Sequence, residues 1–107
     1  MTDTAKTLDD LYTLIQNRKS FDPNVSYTSK LLNKGTIEIT KKLGEEAVET
    51  IIAGLKENND KIVKESADLL FHLFVLWAHK GITPSDVIEE LIRRKGISGI
   101  EEKINRS

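Results

Sequence analysis

Glu45, Glu46 and Glu49, with Glu65, Asp68 and His72 further along, are the side chains best suited to hold a metal ion or move a proton. At about 100° per residue on a helix, the first three share an arc of about 100°, and the second three make a narrower stripe. Either stripe alone fits an ordinary wet helix face, because glutamate is a good helix former. Crowding argues for more. Glu45 and Glu49 are like charges at i,i+4, and Lys41 and Lys42 one turn upstream offset only part of their repulsion. If the two stripes lie on neighbouring helices, five carboxylates share one place, and at neutral pH a divalent cation is the natural remedy. Oxygen-only ligation selects Mg²⁺, with Mn²⁺ as the alternative, over zinc. Hard ions held in this way are the usual partners of phosphate chains, and Lys41 and Lys42 could meet the remaining phosphate charge. The implied chemistry is phosphoanhydride hydrolysis: an activated water attacks phosphorus while the cation and the lysines stabilise the leaving pyrophosphate.

The elements that must position these residues are helical. A chain of 107 residues, 38% apolar and poor in aromatics, is expected to form one domain over residues 1–107, and its composition suits an all-α protein better than a β-sandwich. A formal net charge of -1 provides no basic field for nucleic acid. The absence of cysteine excludes a disulfide scaffold and thiolate metal sites, and it is compatible with a reducing cytoplasm. No apolar signal region opens the chain, and no run of about 18 apolar residues occurs. A soluble, cytoplasmic protein without a membrane partner is expected.

Leu8, Leu11, Tyr12 and Ile15 predict a first helix over residues 8–18, with Thr7 as N-cap and Asp9 and Asp10 in its first turn. Residues 20–29, built around Asp22-Pro23-Asn24, read as a loop, followed by a short helical turn through Leu31 and Leu32 that stops at Gly35 as an αL terminator. Residues 36–56 form the second long helix. One side carries Ile37, Leu43, Ala47, Val48, Ile51, Ile52 and Leu55, and the other Glu38, Lys42, Glu45, Glu46 and Glu49. Its opening, Ile37-Glu38-Ile39-Thr40, would also pass for a short strand.

A third long helix over residues 60–80, capped by Asn59 or Asp60, is apolar on nearly every side except a strip of Lys61, Glu65, Asp68, His72 and His79. A carboxylate in such a strip must find a cation, a metal or a proton if it is buried. So apolar a helix must also be covered, which implies a homodimer with this helix at its centre. Thr83-Pro84-Ser85-Asp86 starts a further helix, whose face of Val87, Ile88, Leu91 and Ile92 ends near Gly96. Ser98-Gly99-Ile100-Glu101 repeats the capping spacing for a short last helix through Ile104. A small bundle of four to five helices, assembling as a dimeric bundle, is the expected fold.

The remaining polar residues are less specific. His72 is either a core histidine bonded to a neighbour or a support for the acidic site, and His79 reads as structural. Tyr27 and Thr28 could contact a sugar or phosphate, although turn chemistry also accounts for Ser26 and Thr28. The run Arg93-Arg94-Lys95 suits any helix C-terminus. A di-iron carboxylate bundle needs Glu-x-x-His twice, and Leu69 and Leu76 stand three before His72 and His79, so that reading fails.

Glu-Glu-x-x-Glu at 45, 46 and 49 followed by Glu-x-x-Asp at 65 and 68 resembles the all-α nucleoside triphosphate pyrophosphohydrolase (MazG-like) superfamily. Four segments together resemble, more narrowly, the phosphoribosyl-ATP pyrophosphohydrolases of histidine biosynthesis. They are Ser26-Tyr27-Thr28, the run Lys41 to Glu49, Glu65-x-Ala67-Asp68-Leu69-x-x-His72, and the tail Gly96-Ile97-Ser98-Gly99-x-Glu101-Glu102-Lys103. The resemblance implies Mg²⁺-dependent hydrolysis of phosphoribosyl-ATP to phosphoribosyl-AMP and pyrophosphate in an obligate helical dimer. It implies metal ligands among Glu45, Glu46, Glu49, Glu65 and Asp68, with phosphate contacts from Lys41 and Lys42. A cyclohydrolase precedes this domain in some members; no segment precedes the first helix here, so that step is expected from another chain. The competing readings are a house-cleaning pyrophosphohydrolase for other nucleotides and a non-enzymatic dimerisation module with wet acidic faces.

Overall fold

The structure is a computed structural model and describes residues 3–95. Five α-helices and one short 3₁₀ turn account for most of those residues, with no strand among them, so the all-α expectation holds. The helices are α1 (Thr4–Asn17), α2 (Tyr27–Lys34), α3 (Thr36–Lys56), α4 (Asn59–Lys80) and α5 (Pro84–Arg94), and the 3₁₀ turn is Arg18–Ser20. The expected last helix through Ile104 lies outside the described residues.

Several helix starts differ from expectation because a stronger or earlier cap was available. α1 begins a turn before Thr7: the Asp3 carboxylate accepts the Lys6 N–H at 3.1 Å, and aspartate caps at least as well as threonine. Asp9 and Asp10 therefore fall beyond the first turn. α2 is two turns long, because the Ser26 hydroxyl accepts the Ser29 N–H at 3.1 Å and brings Tyr27, Thr28 and Ser29 out of the expected loop. The loop before it is pinned twice. Asp22 accepts the Asn24 N–H at 2.9 Å, and the buried Ser29 hydroxyl donates to the Phe21 carbonyl. Asn58, in place of Asn59 or Asp60, caps α4 by accepting the Lys61 N–H at 3.0 Å.

The bounds of α3 are as expected, and the strand alternative for its first residues is settled. Ile39 is 0% exposed and Ile37 84% exposed. Two residues turn about 200° on a helix and 180° on a strand, so a four-residue alternation cannot separate the two. The α5 start is also as expected: the Thr83 hydroxyl accepts the Asp86 N–H at 3.2 Å and the Asp86 carboxylate accepts the Thr83 N–H at 2.9 Å. At the other end of α5, Arg93 and Arg94 donate to Glu90 and hold its carboxyl down to about 2.

A two-residue link makes α3 and α4 an antiparallel pair, and their packing is the most extensive in the fold. The core lies at one end of this pair, where Ile15 of α1, Leu31 of α2 and Ile39 of α3 meet Phe74, Val75 and Ala78 of α4. Tyr12 packs edge-on to Phe74, which stacks on Trp77 at 4.7 Å between ring centroids. His79 Nε2 lies 2.8 Å from the Thr36 hydroxyl and ties the end of α4 to the start of α3, the structural part expected of it. The opposite face of α3 is bare. Val48, Ile51, Ile52 and Leu55, at i, i+3, i+4 and i+7, are 45% to 78% exposed.

Gly35 serves α2 and α3 at once, with φ 88° and ψ -170°. The positive φ was expected, but the ψ is extended, so this is a region open essentially to glycine alone and not the αL cap. A Cβ there would meet no atom within 4 Å, so substitution strains only the backbone. Gly35→Ala is expected to destabilise the protein by about 1–3 kcal/mol in denaturant unfolding, while Gly44→Ala, in mid-helix, is expected to be neutral or stabilising.

Candidate active site

The site is built at mid-length on the α3–α4 pair, where the short link sets residues 46–50 of α3 opposite Glu65 of α4. Thr50 fixes that register. Its hydroxyl lies 2.8 Å from the Glu46 carbonyl and 3.2 Å from the Glu65 carbonyl, and with one proton it donates to one at a time. Sequence reasoning passed over Thr50; its one signal was its place four residues after Glu46 on the acidic helix.

Three of the five expected carboxylates converge here. One oxygen from each of Glu46, Glu49 and Glu65 lies within 4.8 Å of the other two. The Glu65 carboxyl is held above its usual range, chiefly by a hydrogen bond with Glu49, then by burial and the Glu49 charge; Lys61, 3.9 Å away, opposes this. Glu46 Oε2 and Glu65 Oε2 are both buried with no hydrogen-bond partner among the described residues. Buried carboxylate oxygens left bare are costly, and an oxygen-only set of this kind fits a hard divalent cation.

The other two carboxylates flank the cage. Glu45 turns toward Lys42, with 3.6 Å between their charged atoms. Asp68 is exposed one turn beyond Glu65, close enough for its charge to contribute to the Glu65 shift. Lys41 is exposed and Lys42 half-buried on the same turn of α3.

His72 is buried and bonded at both nitrogens. Nδ1 lies 2.7 Å from the Asp68 carbonyl, which can only accept, so Nδ1 carries a proton, and Nε2 lies 3.1 Å from the Tyr27 hydroxyl. His72 is therefore the bonded buried histidine of the first reading, and its partners are the Asp68 carbonyl and the Tyr27 hydroxyl. Tyr27 also lies over Phe71, with ring centroids 6.5 Å apart. Burial raises the Tyr27 hydroxyl above its ordinary value; Lys42 opposes this, and Glu46, Glu38 and Glu45 add to it. The phenol therefore sits within the field of the acidic face. Thr28, the next residue, lines a cavity of about 270 Å³ beside it.

A sequence profile described as phosphoribosyl-ATP pyrophosphohydrolase matches residues 8–95. Among similar proteins, the phosphoribosyl-ATP pyrophosphatase of Paramagnetospirillum magneticum is 52% identical over 107 residues, covering 100% of this chain and 98% of its own. That of Azospirillum brasilense is 51% identical, over 94% of this chain and 90% of its own. That of Rhodospirillum rubrum is 50% identical, over 92% and 85%.

The Glu49–Glu65 pair sets a pH dependence. A carboxyl held above its unfolded value, here 4.5, stabilises the fold below that value and loses the contribution as pH rises through the folded value. In a chelator, the melting temperature is therefore expected to fall as pH is raised from about 4.5 to 7, and Glu65→Gln, which carries its own donor, is expected to flatten that fall. Thermal melts of the two proteins across this range check it.

Proposed function

The chain belongs to the phosphoribosyl-ATP pyrophosphohydrolase family, and we propose that its reaction takes place at the cage of Glu46, Glu49 and Glu65. The protein is a hydrolase of phosphoanhydride bonds; it converts phosphoribosyl-ATP and water to phosphoribosyl-AMP and pyrophosphate, a step of histidine biosynthesis. The observation that carries the location is the pair of buried oxygens, Glu46 Oε2 and Glu65 Oε2, without a hydrogen-bond partner among the described residues, within a cluster of three carboxylates.

Mg²⁺, with Mn²⁺ as a substitute, is the cation assigned to the cage, and when bound it would neutralise charge on the glutamates and on the phosphate chain. The products fix which bond breaks, the anhydride between the α- and β-phosphates. The oxygen of water bonds to phosphorus as that bridging bond opens, and its electron pair leaves with pyrophosphate. Glu45 and Asp68, at the edge of the cage, are placed to take the proton from water. Lys42, held by Glu45, and Lys41 on the same turn meet the departing phosphate charge. His72 holds Tyr27 at the rim against the substrate. No helix among the described residues is long and apolar enough to cross a membrane, which accords with a reaction in the cytoplasm.

The working unit is a homodimer. The stripe Val48, Ile51, Ile52 and Leu55 of α3 and the similar stripe Ile88, Leu91 and Ile92 of α5 are exposed helix faces, and apolar stripes of this kind mark contact surfaces. A second copy of the chain supplies matching stripes by symmetry. Ile51→Glu is expected to convert a dimer to monomer in sedimentation equilibrium; a wild-type monomer would contradict the assignment.

With Mg²⁺ present, release of pyrophosphate and phosphoribosyl-AMP in equal amounts is expected, and a chelator is expected to abolish it. Glu46→Gln and Glu49→Gln are each expected to lower kcat by about a hundredfold or more with circular dichroism unchanged. Undiminished turnover in those variants would move the reaction elsewhere.

A further inference from the structure

Ser26-Tyr27-Thr28 divides between two surfaces. The Tyr27 hydroxyl turns to His72 and the acidic face, whereas Ser26 and Thr28 on either side line the 270 Å³ cavity together with Arg18, Leu14, Ile15 and Phe71. Phe71 is shared, since it stacks on Tyr27 and walls the cavity. Phe71 thus joins the wall of the cavity to the Tyr27–His72 bond, and the Tyr27 hydroxyl in turn feels the charge of Glu46.

Its lining sets one cation and two hydroxyls, Arg18, Ser26 and Thr28, among apolar side chains. Arg18 is its one cation, held with its guanidinium carbon 4.3 Å from the centre of the Phe21 ring, and no carboxylate pairs with it among the described residues. A guanidinium stacked on a ring keeps its N–H edge free for a phosphate. The Ser26 hydroxyl accepts from Ser29, which leaves its own proton to donate outward, and the Thr28 hydroxyl makes no hydrogen bond among the described residues. At about 270 Å³ the cavity falls below the roughly 300–1,000 Å³ that encloses a whole drug-sized ligand, so it fits one end of a substrate. The substrate has such an end. Phosphoribosyl-ATP carries its triphosphate on one side of the purine and a second ribose phosphate on the other, and lysines 41 and 42 with the glutamate cage already account for the triphosphate.

We propose that the cavity walled by Arg18, Ser26, Thr28 and Phe71 holds the phosphoribosyl end of the substrate, with Arg18 on its terminal phosphate, and so selects phosphoribosyl-ATP over simple nucleoside triphosphates. This rests on the assignment of the triphosphate to the cage. The purine then spans the Tyr27–Phe71 pair between the two anionic ends. Arg18 is a specificity residue and takes no part in the bond change.

The test is the affinity of the full chain for phosphoribosyl-AMP and for AMP, which lacks the phosphoribosyl group, by calorimetry. Arg18→Gln is expected to weaken phosphoribosyl-AMP by about tenfold to a hundredfold and AMP by less than about twofold, with Arg18→Lys in between. In turnover, KM for phosphoribosyl-ATP is expected to rise while kcat holds. Equal weakening of both ligands would overturn the proposal, because Arg18 would then serve the nucleotide or the fold, and so would unchanged affinity for both. If Arg18→Gln fails to fold, Thr28→Val is read by the same ratio, with selective weakening of phosphoribosyl-AMP supporting the proposal and its absence overturning it. Failure of the cage assignment reads differently: Glu46→Gln would keep full turnover whatever Arg18 does.

Discussion

The crowding of Glu46, Glu49 and Glu65 is the constraint on which the rest of the structure depends. Three carboxylates are held within 4.8 Å of one another on two packed helices, with two oxygens bare. Nothing in the local sequence relieves this. Lys61 reaches only the edge of Glu65, at 3.9 Å, and Lys42 is taken by Glu45. The strain is tolerated because the two helices cannot drift apart: they are joined by a two-residue link, bridged by the Thr50 hydroxyl, and anchored by the core around Phe74 and Val75. A rigid pair of helices that crowds three carboxyl groups at fixed positions is the oxygen-rich, preorganised place on which the proposed cation assignment rests.

From that cluster outward, each layer positions the next. Asp68 acts through its backbone as well as its side chain, because its carbonyl accepts from His72 Nδ1. His72 then holds the Tyr27 hydroxyl, and Tyr27 belongs to the first turn of α2, whose placement follows from the Ser26 cap and the Gly35 backbone. The path from Asp68 to the cavity thus runs through His72 and Tyr27 to the Phe71 ring, crossing between α4 and α2.

Much of this was legible in the sequence, where the signal was local. The Thr83 and Asp86 capping box, the limits of α3 and the acidic residues of both stripes follow from spacing alone. Competing local signals were harder. Asp3 and Thr7 are both good caps, and only the structure shows that the earlier one wins. Which carboxylates converge depends on how α3 is rotated against α4, and one step of about 100° separates Glu46 in the cage from Glu45 beside Lys42. Contacts across long separations left no trace. The Tyr27–His72 bond spans 45 residues, and the Arg18 cavity joins α1, α2 and α4.

A crystal structure with Mn²⁺ and a non-hydrolysable analogue of the substrate, read by anomalous scattering, addresses the central claim most directly. The expected result is a metal peak bonded to oxygens of Glu46, Glu49 and Glu65, with the phosphate chain against it. A metal held by other residues, with the three glutamates turned to water, would contradict the account.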